Sequence, residues 1–171
     1  AGFALETLGH IPALNEEANI EPLLQALPWA HLRRVVVADN GSTDRTADLA
    51  RAGGAEVVHE PRRGYGAACS TALDWIGRRP PPPDLVAFID ADLADDPAQL
   101  PRLIEPISRG DADLIIGSRS RLAEAGAMTA AQRIGNSIAC AALRVLSGAR
   151  FTDLGPLRAV RWSSLRALGM E

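Results

Sequence analysis

A short apolar run that ends in several carboxylates most constrains how this chain can fold. Residues 85–89 are apolar and follow a stretch of prolines, and Asp90, Asp92, Asp95 and Asp96 come directly after them. A continuous apolar run of this length is typical of a parallel strand that is covered on both faces. Alternation along an extended chain predicts that Asp90 and Asp92 project to the same side. A divalent cation would relieve the repulsion between two such charges.

A helix start is the other interpretation of these carboxylates. Asp95 or Asp96 before Pro97 is favourable chemistry for the N-terminus of a helix. We therefore expect Asp90 and Asp92 to bind a metal and a ligand, and Asp95 and Asp96 to cap the following helix.

The composition excludes several functions. A length of 171 residues predicts one domain, 1–171, with a sizeable core, and the net charge of -3 gives no electrostatic argument for nucleic-acid binding. The chain contains arginine but no lysine. A Schiff-base lysine, a P-loop lysine and the lysine of an aspartyl-phosphate phosphatase are therefore all excluded.

The cysteines and the apolar runs predict a cytoplasmic protein. Cys69 and Cys140 lie far apart among small or apolar neighbours, which is typical of reduced core residues. The apolar runs are far shorter than the roughly 18–20 residues of a membrane span. We expect a soluble protein, or one that is peripheral at the inner face of the membrane.

Strand and helix patterns alternate along the chain, which predicts an α/β fold with a mostly parallel central sheet and helices on both faces. Asn15 is expected to cap the first helix. The first strand is expected to be weak, because residues 6–10 lack the aliphatic run of a central strand. The predicted strands lie near residues 8–14, 33–38, 56–58, 85–89, 113–117, 151–153 and 157–160. The predicted helices lie near 20–27, 44–52, 67–77, 97–107 and 129–146, and a last helix is expected to begin at 163.

Polar clusters follow the predicted strands at 15–16, 39–40, 90–92 and 117–119. In open parallel α/β sheets, ligands bind at the carboxyl ends of the strands. Asp39 therefore either accepts hydrogen bonds from a ligand or caps its own turn. Gly64 and Gly66 would let backbone amides approach a ligand, although a Gly-x-Gly pair alone is weak evidence.

These motifs, in this order, resemble glycosyltransferase family 2, the inverting transferases of GT-A fold, and within it the polyprenyl-phosphate (dolichol-phosphate) mannose or glucose synthase-like branch. The resemblance spans residues 11–162 and implies a single GT-A, Rossmann-like domain. It rests on IPALNEE at 11–17, VADNGSTD at 37–44, DAD at 90–92, GSR at 117–119, Arg133 with Gly135 and Asn136, and Asp153 followed by GPLR at 155–158.

The resemblance also implies roles for individual residues. Asp90 and Asp92 match the DxD pair, through which Mg²⁺ or Mn²⁺ holds the diphosphate of a UDP- or GDP-sugar. Arg119, Arg133 and Arg158 match positions that meet the phosphates of the donor or of a lipid acceptor. The residues expected to line the nucleotide site are Pro12, Asn15, Glu16, Asp39, Asn40, Gly64, Asp90 and Ala91.

The acceptor decides whether a base is needed. A lipid phosphate is already anionic, so arginine side chains suffice to bind it. A hydroxyl acceptor must lose its proton to a carboxylate, for which Asp153 is the first candidate and Asp95 the second. The residues expected to act in catalysis are Asp92, Arg119, Arg133, Arg158 and Asp153.

Other interpretations remain open. Relatives usually continue beyond the stretch that matches 162–170, so we expect a truncated or reduced member with weak or absent transfer and retained donor binding. A non-catalytic sugar-nucleotide-binding module is the first alternative. A sugar nucleotidyltransferase is less favoured, because residues 13–16 offer neither a glycine-rich loop nor basic residues. The helix at 129–146 could contact a membrane surface, but we favour a core position.

Overall fold

The computed structural model describes residues 6–117 and 157–167. The chain forms two compact units, Ala1–Ile115 with Leu157–Glu171 and Ile116–Pro156. The elements described below belong to the first unit, apart from the end of the fifth strand. The strand predicted at 151–153, the helix predicted at 129–146 and Cys140 lie outside the described residues.

Six strands and five helices make up the described part of the chain, with single 3₁₀ turns at Trp29–His31 and Pro97–Gln99. The strands are β1 (Thr7–Ala13), β2 (Arg34–Asp39), β3 (Glu56–His59), β4 (Leu85–Phe88), β5 (Leu114–Ile116) and β6 (Arg158–Arg161). The helices are α1 (Ile20–Ala26), α2 (Thr46–Ala52), α3 (Tyr65–Gly77), α4 (Leu100–Arg109) and α5 (Trp162–Ala167).

The strands form one sheet in the order β3-β2-β1-β4-β6-β5. Strands β1 to β4 are parallel to one another, and β6 runs antiparallel to β4. The described chain is therefore an α/β fold with a mostly parallel six-stranded sheet, as predicted. The antiparallel β6 brings its first residue, Arg158, opposite Phe88 at the carboxyl end of β4.

Helices cover both faces of the sheet, which confirms that expectation. On one face, alternate side chains of the central strands pack against α1 and α4; in α4 the buried residues Leu100, Leu103, Ile104 and Ile107 follow the period of an amphipathic helix. On the other face, Val36, Val86 and their neighbours pack against α3 and α5. The two apolar layers hold the strands in register and so fix the strand ends.

The expectation that the first strand is weak was wrong. β1 lies at the centre of the sheet between β2 and β4, and six of its seven residues are buried. Pairing on both sides overrides the low strand propensity of Gly9 and its neighbours. A Cβ at Gly9 would lie 3.4 Å from the Val35 side chain, which is an ordinary van der Waals distance, so the packing there does not itself require glycine.

Cys69 is a free, buried cysteine on α3, as predicted for this residue. Among the helices of residues 6–117 and 157–167, none has the length and hydropathy needed to cross a membrane.

Candidate functional site

The predicted polar residues gather at the carboxyl edge of the parallel strands. Ala13, Asp39 and His59 are paired across β1, β2 and β3, so the loops that follow these strands start side by side. Phe88 ends β4 opposite Arg158. One edge of the sheet therefore carries the loops after β1 to β4 and the beginning of β6.

The loops after β1 and β2 are joined by hydrogen bonds. The side-chain oxygen of Asn15 accepts from the backbone N–H of Thr43 at 2.8 Å, and the N–H of Asn15 donates to the hydroxyl of Ser42 at 3.0 Å. The N–H of Glu16 donates to the Thr46 hydroxyl at 2.8 Å. These contacts make the two loops one surface, next to the half-buried Pro12.

Asn15 does not cap the first helix, contrary to expectation. α1 begins five residues later, at Ile20, and Asn15 itself has a φ of +54°. Asparagine tolerates this left-handed conformation better than most residues. Asn15 thereby turns the chain out of β1 and directs its side chain to the neighbouring loop.

Asp39 is buried and caps its own turn, since one carboxylate oxygen accepts from the N–H of Ser42 at 3.1 Å. The other oxygen lies 3.1 Å from Nδ1 of His59. The His59 side chain is 61% exposed, so the pair faces the loop region. His59 was not predicted as a site residue, although its position at the end of a strand was a signal for it.

Asn40 organises the loop after β3. Its side-chain amide donates to the carbonyl oxygens of Glu60 at 3.1 Å and Arg62 at 2.7 Å, and its side-chain oxygen accepts from the N–H of Gly64 at 2.7 Å. Gly64 has a φ of +134°, which favours glycine. The Gly64 N–H is thus bound by the Asn40 side chain, and Asn40 holds the loop after β3 in place.

Glu60, which was not predicted as a site residue, is a second anchor for the same loop. Its buried carboxylate binds Arg62 through two guanidinium contacts of 3.0 and 2.8 Å, and it also accepts from the hydroxyl of Thr71 on α3. The hydrogen bonds from Arg62, and then from Thr71, lower the pKa of Glu60 to about 2. Glu60 therefore stays ionised and ties α3 to the loop.

The acidic turn after β4 differs from the strand predicted there. β4 ends at Phe88, so Asp90 and Asp92 lie in a turn and the argument from strand alternation does not apply. Asp90 is half-buried, Ala91 is buried and Asp92 is exposed. Asp92 accepts from the N–H of Ala94 at 2.9 Å, and Leu93 has a φ of +57°. The turn thus presents both carboxylates at the same edge as Asp39.

Asp95 and Asp96 have different roles. Asp96 caps the 3₁₀ turn that leads into α4 and accepts from the N–H of Ala98 at 3.0 Å, as predicted. Asp95 is not the cap, and its carboxylate accepts from the N–H of Leu157 at 3.1 Å. The acidic turn is therefore attached to the residue that precedes Arg158.

Arg158 reaches the acidic turn through Tyr65, the first residue of α3. Its guanidinium donates to the Tyr65 hydroxyl at 3.1 Å, and this hydroxyl lies 3.4 Å from a carboxylate oxygen of Asp90. The guanidinium carbon lies 5.1 Å from the centre of the Phe88 ring, within the range of a cation–π contact. Arg158 was predicted as a site residue, whereas Tyr65 was not.

A buried histidine, His10, packs against Phe88 at the end of β4. The His10 ring is fully buried and meets the Phe88 ring edge to face, with 5.2 Å between ring centres. Within the described part of the chain, neither of its ring nitrogens has a hydrogen-bond partner. Burial, and secondarily the charge of Arg158, lower the pKa of His10 to about 3. The imidazole is therefore neutral at pH 7.

The donor set fits a cation that is shared with a phosphate ligand. In residues 6–117 and 157–167, there is no group of three or more histidine, cysteine or acidic side chains that could hold a metal alone. Mg²⁺ is commonly bound by one or two carboxylates together with substrate phosphates. Asp90 and Asp92 match that arrangement better than a closed structural site.

Arg119, Arg133 and Asp153, which were also predicted as site residues, lie outside the described residues.

Known proteins resemble both the sequence and the fold. An uncharacterized glycosyltransferase of Mycobacterium tuberculosis is 37% identical over 160 residues, which cover 94% of this chain and 69% of that protein. A dodecaprenyl-phosphate galacturonate synthase of Rhizobium johnstonii is 31% identical over 121 residues, which cover 64% of this chain and 34% of that protein.

A solved structure is similar over most of the described fold. It is glucosyl-3-phosphoglycerate synthase from Mycobacterium tuberculosis in complex with Mn²⁺, UDP-glucose and phosphoglyceric acid, with a TM-score of 0.70 and 26% identity. The match covers 93% of this chain and 57% of that one, so this chain spans little more than half of that protein. The family model for glycosyl transferase family 2 matches residues 10–139. With its α/β sheet and the polar edge built on it, this chain belongs to glycosyl transferase family 2.

Proposed function

We propose that this chain binds a nucleoside-diphosphate sugar together with Mg²⁺ or Mn²⁺ at the carboxyl edge of its sheet, and transfers the sugar to a phosphate-bearing acceptor. One observation carries the proposal. The turn of Asp90 and Asp92 and the guanidinium of Arg158 lie at the same edge, joined through the Tyr65 hydroxyl. Carboxylates for a cation and a guanidinium for phosphate oxygens are the groups that a sugar diphosphate requires.

The donor would lie across the loops after β1, β2 and β4. Pro12, Asn15 and Glu16 would line the nucleoside, with Asp39 beside the base, while Asn40 and Gly64 would support the site through the loop after β3. Asp90 and Asp92, with Ala91 between them, would hold the cation that neutralises the diphosphate. The complex of the similar synthase with Mn²⁺ and UDP-glucose supports this donor class.

The transfer would invert the anomeric carbon. An acceptor oxygen attacks that carbon from the face opposite the diphosphate, a new C–O bond forms, and the old one breaks with its electron pair leaving on the nucleoside diphosphate. The bound cation would supply Lewis-acid stabilisation of that charge. Arg158 would stabilise the same charge through its fixed guanidinium donors. From their positions in the family motifs, Arg119 and Arg133 are proposed to bind phosphates of the donor or of the acceptor.

A polyprenyl phosphate is the acceptor that we propose, and the Rhizobium dodecaprenyl-phosphate galacturonate synthase supports it. The phosphate oxygen of such an acceptor is already anionic and needs no general base. The complex of the similar synthase with phosphoglyceric acid supports a second acceptor class, a small phosphorylated acid. A hydroxyl nucleophile would require a base, and Asp153 is proposed for that role.

A transfer assay with two acceptors tests the proposal. Radiolabelled UDP-glucose and GDP-mannose are each offered with Mn²⁺ to either a short-chain polyprenyl phosphate or 3-phosphoglycerate. We expect weak but detectable labelling of the lipid product with the wild-type chain and none with Asp92→Ala. Label in phosphoglycerate alone would replace the lipid acceptor with the soluble one. Donor binding without transfer to either acceptor would favour a non-catalytic sugar-nucleotide-binding module.

Vesicle flotation tests where the chain acts. A polyprenyl acceptor would bring the protein to the surface of a membrane from the cytoplasm. We expect co-flotation with vesicles that contain polyprenyl phosphate and less with vesicles that lack it. Failure to float with either would remove the proposed peripheral contact.

A further inference from the structure

A histidine at the end of β3 holds the buried carboxylate that would lie beside the nucleobase. Asp39 is only 4% exposed, and its two oxygens have separate partners. One oxygen accepts from the N–H of Ser42 at 3.1 Å, and the other lies 3.1 Å from Nδ1 of His59. An ionised carboxylate has no hydrogen to donate, so Nδ1 is the donor of the second contact. The carboxylate is therefore held at both of its oxygens.

We propose that His59 is a positioning residue that orients the Asp39 carboxylate to accept a ring N–H of the nucleobase, so that the site selects uracil or guanine over cytosine or adenine. This inference rests on the proposed function, because it names the class of base that the same donor site would take. Uracil carries a hydrogen at N3 and guanine at N1, whereas N3 of cytosine and N1 of adenine are acceptors. A carboxylate only accepts hydrogen bonds, so it pairs with the first two ring positions and repels the lone pairs of the others.

The sheet fixes the position of His59 independently of any ligand. His59 is the last residue of β3 and lies opposite Asp39 in the register of two parallel strands. The N–H of Glu60 donates to the carbonyl oxygen of Asp39 at 2.8 Å, and the neighbours Val58 and Glu60 are buried. The imidazole is thus placed beside the carboxylate by strand pairing and not by a free loop.

The contact with His59 leaves the carboxylate able to bind a base. The His59 side chain is 61% exposed, so the pair lies at the surface of the carboxyl edge although Asp39 itself is buried. Within residues 6–117 and 157–167, the His59 ring has no hydrogen-bond partner other than Asp39. Each carboxylate oxygen can accept more than one hydrogen bond. The oxygen that His59 holds can therefore still accept from a ligand.

Loss of the imidazole would leave the carboxylate held at one oxygen only. The single hydrogen bond from Ser42 permits rotation about the Cβ–Cγ bond of Asp39, and a ring N–H is then bound less well. In the proposed site the diphosphate lies with the cation at Asp90 and Asp92. Removal of His59 should therefore change the preference between bases, whereas a general loosening of the site would weaken every nucleotide alike.

Titration calorimetry with paired nucleoside diphosphates in the presence of Mn²⁺ tests this role. UDP and CDP share the ribose and the diphosphate and differ in the base, and GDP and ADP form a second pair. We expect the wild-type chain to prefer UDP over CDP, or GDP over ADP, by roughly 10- to 100-fold. We expect His59→Ala to reduce that ratio by roughly tenfold, as for the loss of one hydrogen bond to a charged group.

His59→Asn tests whether the donated hydrogen bond is the cause. Its side-chain amide keeps an N–H near the position of Nδ1, so the variant should retain the ratio within about threefold. His31→Ala is the matched control, because it removes another exposed histidine and should leave the ratio unchanged.

The tautomer of His59 gives a second measurement, on the wild-type protein. Long-range ¹⁵N–¹H correlation NMR shows which ring nitrogen carries hydrogen, and the chain has three histidines, so the signals are few. His59→Ala identifies the signals of His59 by their loss. We expect hydrogen at Nδ1. A ring with hydrogen at Nε2 alone would overturn the inference, because Nδ1 could not then donate to Asp39.

The binding outcomes separate this inference from the proposed function. An unchanged ratio in His59→Ala, an equal loss of both nucleotides of a pair, or a His59→Asn variant as impaired as His59→Ala would overturn the role of His59. Metal-dependent binding by the wild-type chain without preference in either pair would also overturn it and leave the proposed function standing. Absence of nucleotide binding by the wild-type chain would overturn both.

Discussion

The carboxylate of Asp95 accepts a 3.1 Å hydrogen bond from the backbone N–H of Leu157, across 62 residues of sequence. This contact joins the acidic turn after β4 to the start of β6. Because Arg158 follows Leu157 directly, the position of its guanidinium depends on a carboxylate in the same turn as Asp90 and Asp92. This hydrogen bond thus links the acidic turn, which would hold the cation, to the residue before Arg158, which would bind phosphate.

Substitution of Asp95 should therefore act through Arg158. We expect Asp95→Ala to lower kcat/KM for the sugar donor by roughly tenfold, since a hydrogen bond to a charged group is lost. Asp95→Asn keeps an oxygen that can accept from Leu157 and should retain most of the activity. The measurement is a steady-state transfer assay at saturating acceptor.

The same pair of variants examines the alternative role of Asp95 as a base. A general base cannot be replaced by an amide, so Asp95→Asn would then be as inactive as Asp95→Ala. Equal loss in both variants would contradict the positioning role that the Leu157 contact indicates.

Asn40 should contribute strongly to stability. Its buried side chain makes three hydrogen bonds, to the carbonyls of Glu60 and Arg62 and to the N–H of Gly64. We expect Asn40→Ala to lower the free energy of unfolding by about 2–3 kcal/mol, because buried backbone groups lose their partners. Urea denaturation measures this change. Asn19→Ala removes one side-chain contact, to Glu16, and should cost about 1 kcal/mol or less.

Asn40→Asp gives a sharper version of the same test. At pH 7 a carboxylate would face the two carbonyl oxygens that now accept hydrogen bonds, so we expect it to destabilise at least as much as alanine. A fully stable Asn40→Asp variant would contradict the assigned orientation of the amide.

His10 should make the protein sensitive to acid. Its pKa of about 3 in the folded state lies below the ordinary value of 6.5, so the unfolded chain binds more protons between these values. Stability is then complete above pH 6.5 and falls as the pH drops toward 3, by up to about 1.4 kcal/mol per pH unit. We expect His10→Val to remove this dependence and to stabilise the protein by up to about 3 kcal/mol at pH 4.

The measurement is chemical denaturation of both proteins at several pH values. At pH 7, His10→Val removes a buried polar ring whose nitrogens have no hydrogen-bond partner in residues 6–117 and 157–167, which should itself stabilise the protein by about 1 kcal/mol. His31 is exposed and offers a matched histidine-to-valine control that should leave the acid dependence in place. Parallel pH profiles for wild type and His10→Val would contradict the buried neutral state of His10.

The sequence predicted the fold where local patterns decide it. The β-branched run of β2 and the amphipathic period of α4 both appear as predicted, because their apolar residues face a core on each side of the sheet. β1 was misjudged because its stability comes from neighbours on both sides, which residues 6–10 do not reveal.

The residues of the candidate site were likewise predicted only in part. Its strand-end motifs, such as Asp39 and Asp90, could be found because each lies at or just after the end of a strand in sequence. Tyr65 and the Asp95 contact were missed because their partners lie 93 and 62 residues away and are set by the antiparallel β6. The geometry of the acidic turn was misjudged because β4 ends before it and Leu93 adopts a left-handed conformation.

Titration calorimetry of UDP-glucose and GDP-mannose, with and without Mn²⁺, tests the central claim most directly. We expect the wild-type chain to bind one donor much more tightly with Mn²⁺, and Asp92→Ala to lose this metal dependence. Asp96→Asn removes a charge from the same turn but keeps a capping oxygen, so its binding should remain metal-dependent. Equal donor binding with and without Mn²⁺ in the wild type, or unchanged metal dependence in Asp92→Ala, would contradict the proposed donor site.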